Sequence, residues 1–337
     1  MKLAEGVKSI RLSPVNLKAG DEYLFQHEYS KNIASIEMLT QKNLLVSGYG
    51  IILSHTNTKL SERFTRAVTI KYLKRLNYCW LWVKILLSGK LDVFNSALFV
   101  IEPGNSGYFH WVTETVPRLL ASGERFKASS VLLPVHYKAY RYMQESLVLL
   151  GFNTLYIPEE RFALIKANYF ITPFATAGNY NDEIINKTRV AFTHGQLNKQ
   201  PHRLIYISRT KSDKRKITNE EELLPILHSY GFETVYCETL TLKEQVELFF
   251  ETKVLIGNHG AGLTNMLFMQ KKTAVLELRY AGDANNNCYF SLASALSIHY
   301  FYQSCKPITK NENPHQANVI VDLETLSDNL QLIAADS

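Results

Sequence analysis

The sequence predicts an α/β protein built on parallel sheets, on three observations. From about residue 128 onward, short apolar runs alternate with longer stretches of helical period. The chain has 337 residues, twice the length of a ~150-residue domain, so two domains are expected. Hydrophobic residues make up 46% and charged residues 20%, enough apolar surface to offset the entropy of ordering, which excludes a disordered or collagen-like chain.

Residues 1–100 are the least legible part, with apolar runs at 43–53 and 97–101 that read as strands. A strand at 130–134, a helix at 138–150 closed by Gly151 and a strand at 152–157 then follow βαβ grammar. The second half is more regular. A strand at 203–208 leads through a basic loop to a helix at 219–230, which opens with the capping-box pattern Thr218-Asn219-Glu220-Glu221 and stops at Gly231. A strand at 232–236, a helix at 242–251, a strand at 253–256, a helix at 261–269 and a strand at 273–278 continue the alternation. A helix at 286–296, strands at 298–302 and 318–321, and a helix from Asp322 complete it. Such alternation predicts a parallel sheet covered by helices on both faces. The lobe boundary is expected near Gln200-Pro201, giving domains 1–200 and 201–337, with the last helix packing back on the first.

The net charge of +6 is unevenly spread: residues 1–90 hold 14 Lys/Arg against 6 Asp/Glu, and 59–90 alone hold 8 against 1. With Tyr72, Tyr78, Trp80 and Trp82 among them, these cations suit an anionic membrane face or an acidic polymer. Nucleic acid is not expected, because no recognised binding motif accompanies the charge. The longest apolar stretch, 78–87, is interrupted by Lys84 and falls short of the ~20 residues of a bilayer crossing. Residues 1–8 hold no unbroken apolar block of the secretory kind, so a cytoplasmic protein is expected. Cys79, Cys237, Cys288 and Cys305 are too far apart for a zinc knuckle or a Cys-x-x-Cys pair, and no metal is expected.

Three segments can carry chemistry. Gly257-Asn-His259-Gly260-Ala261-Gly262-Leu-Thr-Asn265 follows an apolar strand and opens a helix, where glycines admit a ligand to the backbone and free N–H groups favour an anion; packing alone is the alternative use. Glu277, placed at the end of the next strand, can accept bonds from ribose hydroxyls. The glycine order departs from Gly-x-Gly-x-x-Gly, which disfavours a dinucleotide-dependent oxidoreductase without removing it as an alternative. The basic loop 208–216 presents Arg209 and Arg215 at the carboxyl end of its strand, and arginine suits diphosphate through its fixed fork of donors. In the first half His110 and Glu114 are four apart, so a helix from about Ser106 puts them on one face and Val112, Val116 and Leu119 on another. A His and a carboxylate that converge are suited to general-base work, with either one as the base.

Together Tyr108-Phe-His-Trp, Glu114 and Pro117-Arg118, then Ile207-Ser-Arg209 with Arg215-Lys-Ile-Thr-Asn-Glu220, then His259-Gly-Ala-Gly-Leu-Thr-Asn265 and Val275-Leu-Glu277 resemble glycosyltransferase family 61, over about residues 104–280. The resemblance implies a GT-B-like protein, two Rossmann-like lobes with a ligand cleft between them. It implies an inverting, metal-independent transferase that moves a sugar from a nucleotide-sugar, UDP by inheritance from the family, to a hydroxyl of a surface or capsular polysaccharide. Glu114 is then the candidate base, oriented by His110. Arg209, Arg215, His259, Gly260, Ala261, Gly262, Asn265 and Glu277 are the candidate donor-binding residues. No cofactor is expected beyond the nucleotide-sugar substrate. Without the N-terminal anchor or signal of eukaryotic members, a bacterial-type enzyme is expected, peripheral at the inner face of the membrane through 59–90 and acting on an oligosaccharide or lipid-linked glycan. A catalytically inactive glycan-binding assembly protein is the remaining alternative.

Overall fold

The computed structural model describes the chain apart from residues 55–69, 101–105, 124–128, 172–176, 197, 310–311 and 337. Ten strands lie in the first half: β1 Lys2–Ala4, β2 Val7–Ile10, β3 Ser30–Ile33, β4 Ile36–Ser47, β5 Ile52–Ser54, β6 Ile70–Tyr72, β7 Leu91–Phe99, β8 Val131–Pro134, β9 Thr154–Ile157 and β10 Phe162–Ile171. Six follow: β11 Arg203–Ile207, β12 Glu233–Val235, β13 Thr252–Asn258, β14 Ala274–Tyr280, β15 His299–Pro307 and β16 Val319–Ile320. The chain divides into two compact units, one made of Met1–Gly6 with Ala34–Thr176 and the other of Val7–Ile33 with Ala177–Ser337.

The first unit holds an eight-stranded sheet of order β6-β5-β4-β10-β7-β8-β9, with β1 against β4. Strands β7 to β10 are mutually parallel where they pair, as βαβ grammar requires. The long β4, however, runs antiparallel to β10 from Ser47 opposite Phe162 to Met38 opposite Ile171. This sheet is therefore mixed rather than the all-parallel sheet of a Rossmann-like lobe. The reason lies in residues 36–54, which turn back tightly from β4 into β5 and so can pair only antiparallel, whereas parallel neighbours need a crossover of a dozen residues or more.

The second unit is the cleaner α/β layer, as its sequence rhythm implies. Its six strands take the order β12-β11-β13-β14-β15-β16, parallel throughout except for the antiparallel edge strand β16. The order is flavodoxin-like, and the direction of winding reverses between β11 and β13. Val275, Leu276 and Leu278 of β14 are fully buried, as a strand covered on both faces must be. The capping box forms one helix later than its pattern suggested. Asn219 uses its side chain to bond both backbone groups of Val321, whereas Thr241 and Glu244 cap helix Leu242–Phe250 reciprocally.

Two further expectations change. The last helix, Leu323–Asp336, packs within its own unit, where Leu326, Leu330 and Ile333 are buried in the core with Leu276, Phe301 and Val319. Residues 7–33 and helix Asp182–Thr193, placed by sequence before the boundary at 200, also belong to the second unit. Arg189 of that helix is buried with Nη1 on the carbonyl of Leu296 at 3.0 Å, and burial lowers its pKa to about 10. Segment 7–33 acts as a strap. Arg11 pairs with Asp182 at 2.5 Å, Asn16 donates to the Tyr302 carbonyl at 2.7 Å, and Phe25 lies 5.0 Å from the ring of Phe290.

Leu330→Ala should destabilise the second unit by about 2–5 kcal/mol, the cost of emptying a core leucine site, measurable by urea denaturation. An exposed-leucine stability change near zero would place the helix outside this core.

Candidate active site

The carboxyl ends of β11 and β13 flank the reversal in winding, which is where open parallel sheets hold ligands. From β11 the chain emerges through Ser208 into Arg209, and from β13 through Asn258 and His259 into Gly260. The two meet directly: a Cβ built on Gly260 would collide with the Arg209 guanidinium. A side chain at position 260 would therefore have to displace that guanidinium, although the backbone there is extended and open to any residue. Gly262 is constrained likewise, since a Cβ there would lie 3.0 Å from Ile207 Cγ2. The turn after it is a 3-10 helix, Ala261–Phe268, rather than an α-helix. Ala261 and Gly262 at its start are half-buried, and the first N–H groups of such a helix have no intrahelical partner.

Arg209 is held by its own loop. Its Nε donates to the Arg215 carbonyl at 3.2 Å, and Nη2 donates to Ser212 Oγ at 2.8 Å. Asn258 donates to the same Arg215 carbonyl at 2.8 Å. Arg215 takes φ +57°, a left-handed conformation that costs a non-glycine residue free energy, and its Nε is buried with no partner among the described residues. Neither arginine has an ion-pair partner among the described residues. Burial lowers the Arg209 pKa, and the adjacent Arg215 charge lowers it further. Two guanidiniums that destabilise one another are relieved by an anion between them.

His259 is half-buried behind this turn and bonded through Nδ1 to Glu277 Oε1. The other carboxylate oxygen accepts the Tyr300 hydroxyl at 2.5 Å, and Arg279 Nη1 reaches the same hydroxyl at 3.3 Å. Arg279 is itself 2% exposed, donates Nη2 to the Asp283 carbonyl and lies 5.0 Å over the Phe25 ring. Burial alone would raise the Glu277 carboxyl, but the His259 charge and hydrogen bond, with Arg279 and Tyr300, outweigh it and hold its pKa below the ordinary range. Glu277 sits mid-strand in β14, fully buried and with both oxygens engaged, so it is placed to hold His259 rather than at the strand end expected for a ribose contact. The ring of Tyr289 lies 5.0 Å from that of His259 on its other side. Asn265 is buried too, donating to Gln245 Oε1 at 2.9 Å, which makes it part of the packing under the turn.

In the first unit Tyr108–His110 starts a helical run that widens to a π turn over Trp111–Thr115 and returns to an α-helix at Val116–Ala121. Pro117 has no N–H to give the Thr113 carbonyl and its ring crowds that carbonyl, so the turn before it opens. Val112, Val116 and Leu119 are fully buried, as the spacing predicts. His110 Nδ1 and Glu114 Oε2 are 3.0 Å apart on the opposite face. Glu114 Oε1 is buried with no hydrogen-bond partner among the described residues. The carboxylate therefore has an acceptor to spare, oriented by a histidine.

The structure thus groups Arg209, Arg215, Gly260, Ala261 and Gly262 at one turn, seats His259 and Glu277 behind it, pairs His110 with Glu114, and withdraws Asn265. Sequence reasoning overlooked Arg279, Tyr300 and Asn258. Arg279 carried a readable signal, a charge two residues from Glu277 and so on the same face of an otherwise apolar strand. Tyr300 carried none, because only the register of β15 beside β14 brings it near.

A flavodoxin-like sheet with a cationic, glycine-lined turn at its switch point is the arrangement in which α/β proteins hold anionic ligands. The sequence profile of Glycosyltransferase 61 matches residues 108–276, half of the chain, spanning both the His110–Glu114 pair and the turn. The chain belongs to the glycosyltransferase 61 family. It is similar to the EGF domain-specific O-linked N-acetylglucosamine transferase of Drosophila melanogaster, with 32% identity over 124 residues, 36% of this chain and 23% of the relative. The Bos taurus enzyme of the same name is 36% identical over 94 residues, 26% of this chain and 18% of the relative. The match thus spans less than a quarter of the length of these relatives, which are animal proteins rather than the bacterial capsular kind expected.

Two outcomes test the site. Gly260→Ala should displace Arg209 and weaken inorganic pyrophosphate roughly tenfold or more by calorimetry, the loss of one charged hydrogen bond. Glu277 has a depressed folded pKa, so its stabilisation is present above the unfolded value of 4.5 and is lost as pH falls through the folded value. Urea stability of the parent should accordingly fall more steeply below pH 4.5 than that of Glu277→Gln.

Proposed function

We propose that the chain transfers a sugar from a nucleotide-sugar to an acceptor hydroxyl by a single, inverting displacement. The observation that carries it is Arg209, a half-buried guanidinium laid on Gly260 beside Arg215, with no ion-pair partner for either among the described residues. That is the electrostatic environment a departing nucleoside diphosphate needs. The acceptor oxygen forms a bond to the anomeric carbon as its proton passes to Glu114, and the glycosidic bond to the diphosphate breaks, the leaving oxygens taking up charge against the two arginines. The unpartnered Oε1 of Glu114 supports its role as base, with His110 steering the carboxylate. His259, fixed by Glu277, offers its other ring nitrogen to the donor. The arginines and the helix N-terminus do the charge stabilisation that a divalent cation does elsewhere, so the reading is metal-independent.

The proposal takes UDP as the nucleotide, a surface or capsular polysaccharide as acceptor and the cytoplasm as place of work from the motif resemblance. The names of the matched relatives favour N-acetylglucosamine as the first sugar to try, and a protein hydroxyl, as in an EGF domain, as a second acceptor.

A panel of nucleotide-sugars tested by calorimetry should give saturable binding for a UDP-sugar, abolished by Arg209→Ala. Glu114→Gln should keep that binding while transfer drops by about 10²–10⁴-fold, the usual worth of a general base. Equal binding of all donors by parent and Arg209→Ala, or unchanged transfer by Glu114→Gln, contradicts the proposal.

A further inference from the structure

Helix α1, Arg75–Ser88, is apolar on two opposite faces. Tyr78, Leu81, Trp82 and Ile85 form the inner stripe and pack with Leu45, Leu53, Leu91 and Phe162. That contact accounts for why the helix is attached to its unit. It does not account for the other face. Leu76, Trp80, Val83 and Leu87 are spaced i, i+4, i+7 and i+11, which puts them within about 60° of one another on the side turned away from the core. Leu76 is 76% exposed, Trp80 64% and Leu87 84%, and the neighbouring Leu86 is 63% exposed. Scattered exposed leucines are ordinary, but a contiguous row on one helix marks a surface that meets something.

Charge identifies what it meets. Arg75 and Lys84 project from either flank of the outer row, and Lys74 and Lys90 stand just beyond the helix ends, all four exposed. Between residues 73 and 91 there is no Asp or Glu. Asp92, the next acid along the chain, is already bound to Arg161 Nη2 at 2.6 Å and Nε at 2.7 Å, so it does not cancel the local charge. Apolar side chains along the centre, a tryptophan among them, and long cationic chains at the sides are the pattern of a helix lying in a bilayer interface, its stripe in the acyl boundary and its cations among anionic headgroups. The helix is 14 residues long, and among the described residues no helix is long and apolar enough to cross a membrane, so it lies on the surface rather than spanning it.

We infer that the outer face of helix α1 is a docking surface for an anionic lipid bilayer. Binding rests on partition of Leu76, Trp80, Val83 and Leu87, strengthened by Arg75 and Lys84. This does not rest on the transfer reaction, and its test uses no activity.

The full chain is floated with vesicles of pure phosphatidylcholine and with vesicles of phosphatidylcholine and phosphatidylglycerol in equal parts. The parent should float with the mixed vesicles and much less with the neutral ones. Trp80→Ser with Leu87→Ser should lower partition onto mixed vesicles roughly tenfold or more, and Lys84→Gln roughly fivefold, the worth of one headgroup charge. All these positions are exposed, so the thermal midpoint of each variant should match the parent. No flotation of the parent, or equal flotation of parent and variants, overturns the inference. So does lipid-free self-association that the Trp80 and Leu87 changes abolish, which would assign the row to a second copy of the chain.

Discussion

A buried carboxylate is the constraint around which the second unit is arranged. Glu277 lies in the centre of a strand whose other residues are almost all apolar, and a charge there survives only if each oxygen is met. His259 meets one and Tyr300 the other, and Arg279 balances the cluster. Each partner comes from a different place: the end of β13, the neighbouring strand β15, and two residues further along β14. The strap completes the enclosure by laying Phe25 against Arg279, Tyr300 and Tyr302. Satisfying one charge therefore fixes the register of three strands, and with it the position of the glycine turn that begins at His259.

The same logic separates the two kinds of charge near the turn. Glu277 and Arg279 answer one another and are fully sequestered. Arg209 and Arg215 have no ion-pair partner among the described residues, and lie where the sheet reverses its winding. A protein that neutralises one buried cluster so completely and leaves two guanidiniums side by side has placed the imbalance at the switch point, where a ligand can correct it. The His110–Glu114 pair shows a related pattern in the first unit, with the histidine on one oxygen and the other oxygen without a hydrogen-bond partner among the described residues.

Much of the second unit was legible because alternating β and α segments, Gly231 as a stop and the apolar β14 all obey local rules. The nearness of the glycine turn and Arg209 was legible because both follow the carboxyl ends of strands in one parallel sheet, and Gly260 does lie against the Arg209 guanidinium. The first unit was less legible: β4 lies far along the chain from β10, and antiparallel pairing of 38–47 with 162–171 leaves no local trace. Glu277 drew attention for its expected place at a strand end, but its position behind His259 depends on Tyr300, a contact across 23 residues set by strand register. Asn265 belonged to a motif that looked functional as a string, and only packing against Gln245 distinguishes it from the residues at the turn. The strap was illegible for the same reason, since nothing in 7–33 announces partners near 290–302.

That strap has a consequence for how the molecule can be made. The chain enters the second unit at Val7, leaves it after Ile33 and returns at Ala177, so neither unit is a continuous stretch that one cut could release. A fragment begun at 177 would bare the aromatic rings of Phe290, Tyr300 and Tyr302 that Phe25 covers, along with the guanidinium beneath it. On the ribosome the order is reversed. The strap emerges before its partners, and Asn16 must wait for Tyr302, 286 residues later, before its side chain has a bonding partner there, so the second unit can close only after that strand has been made.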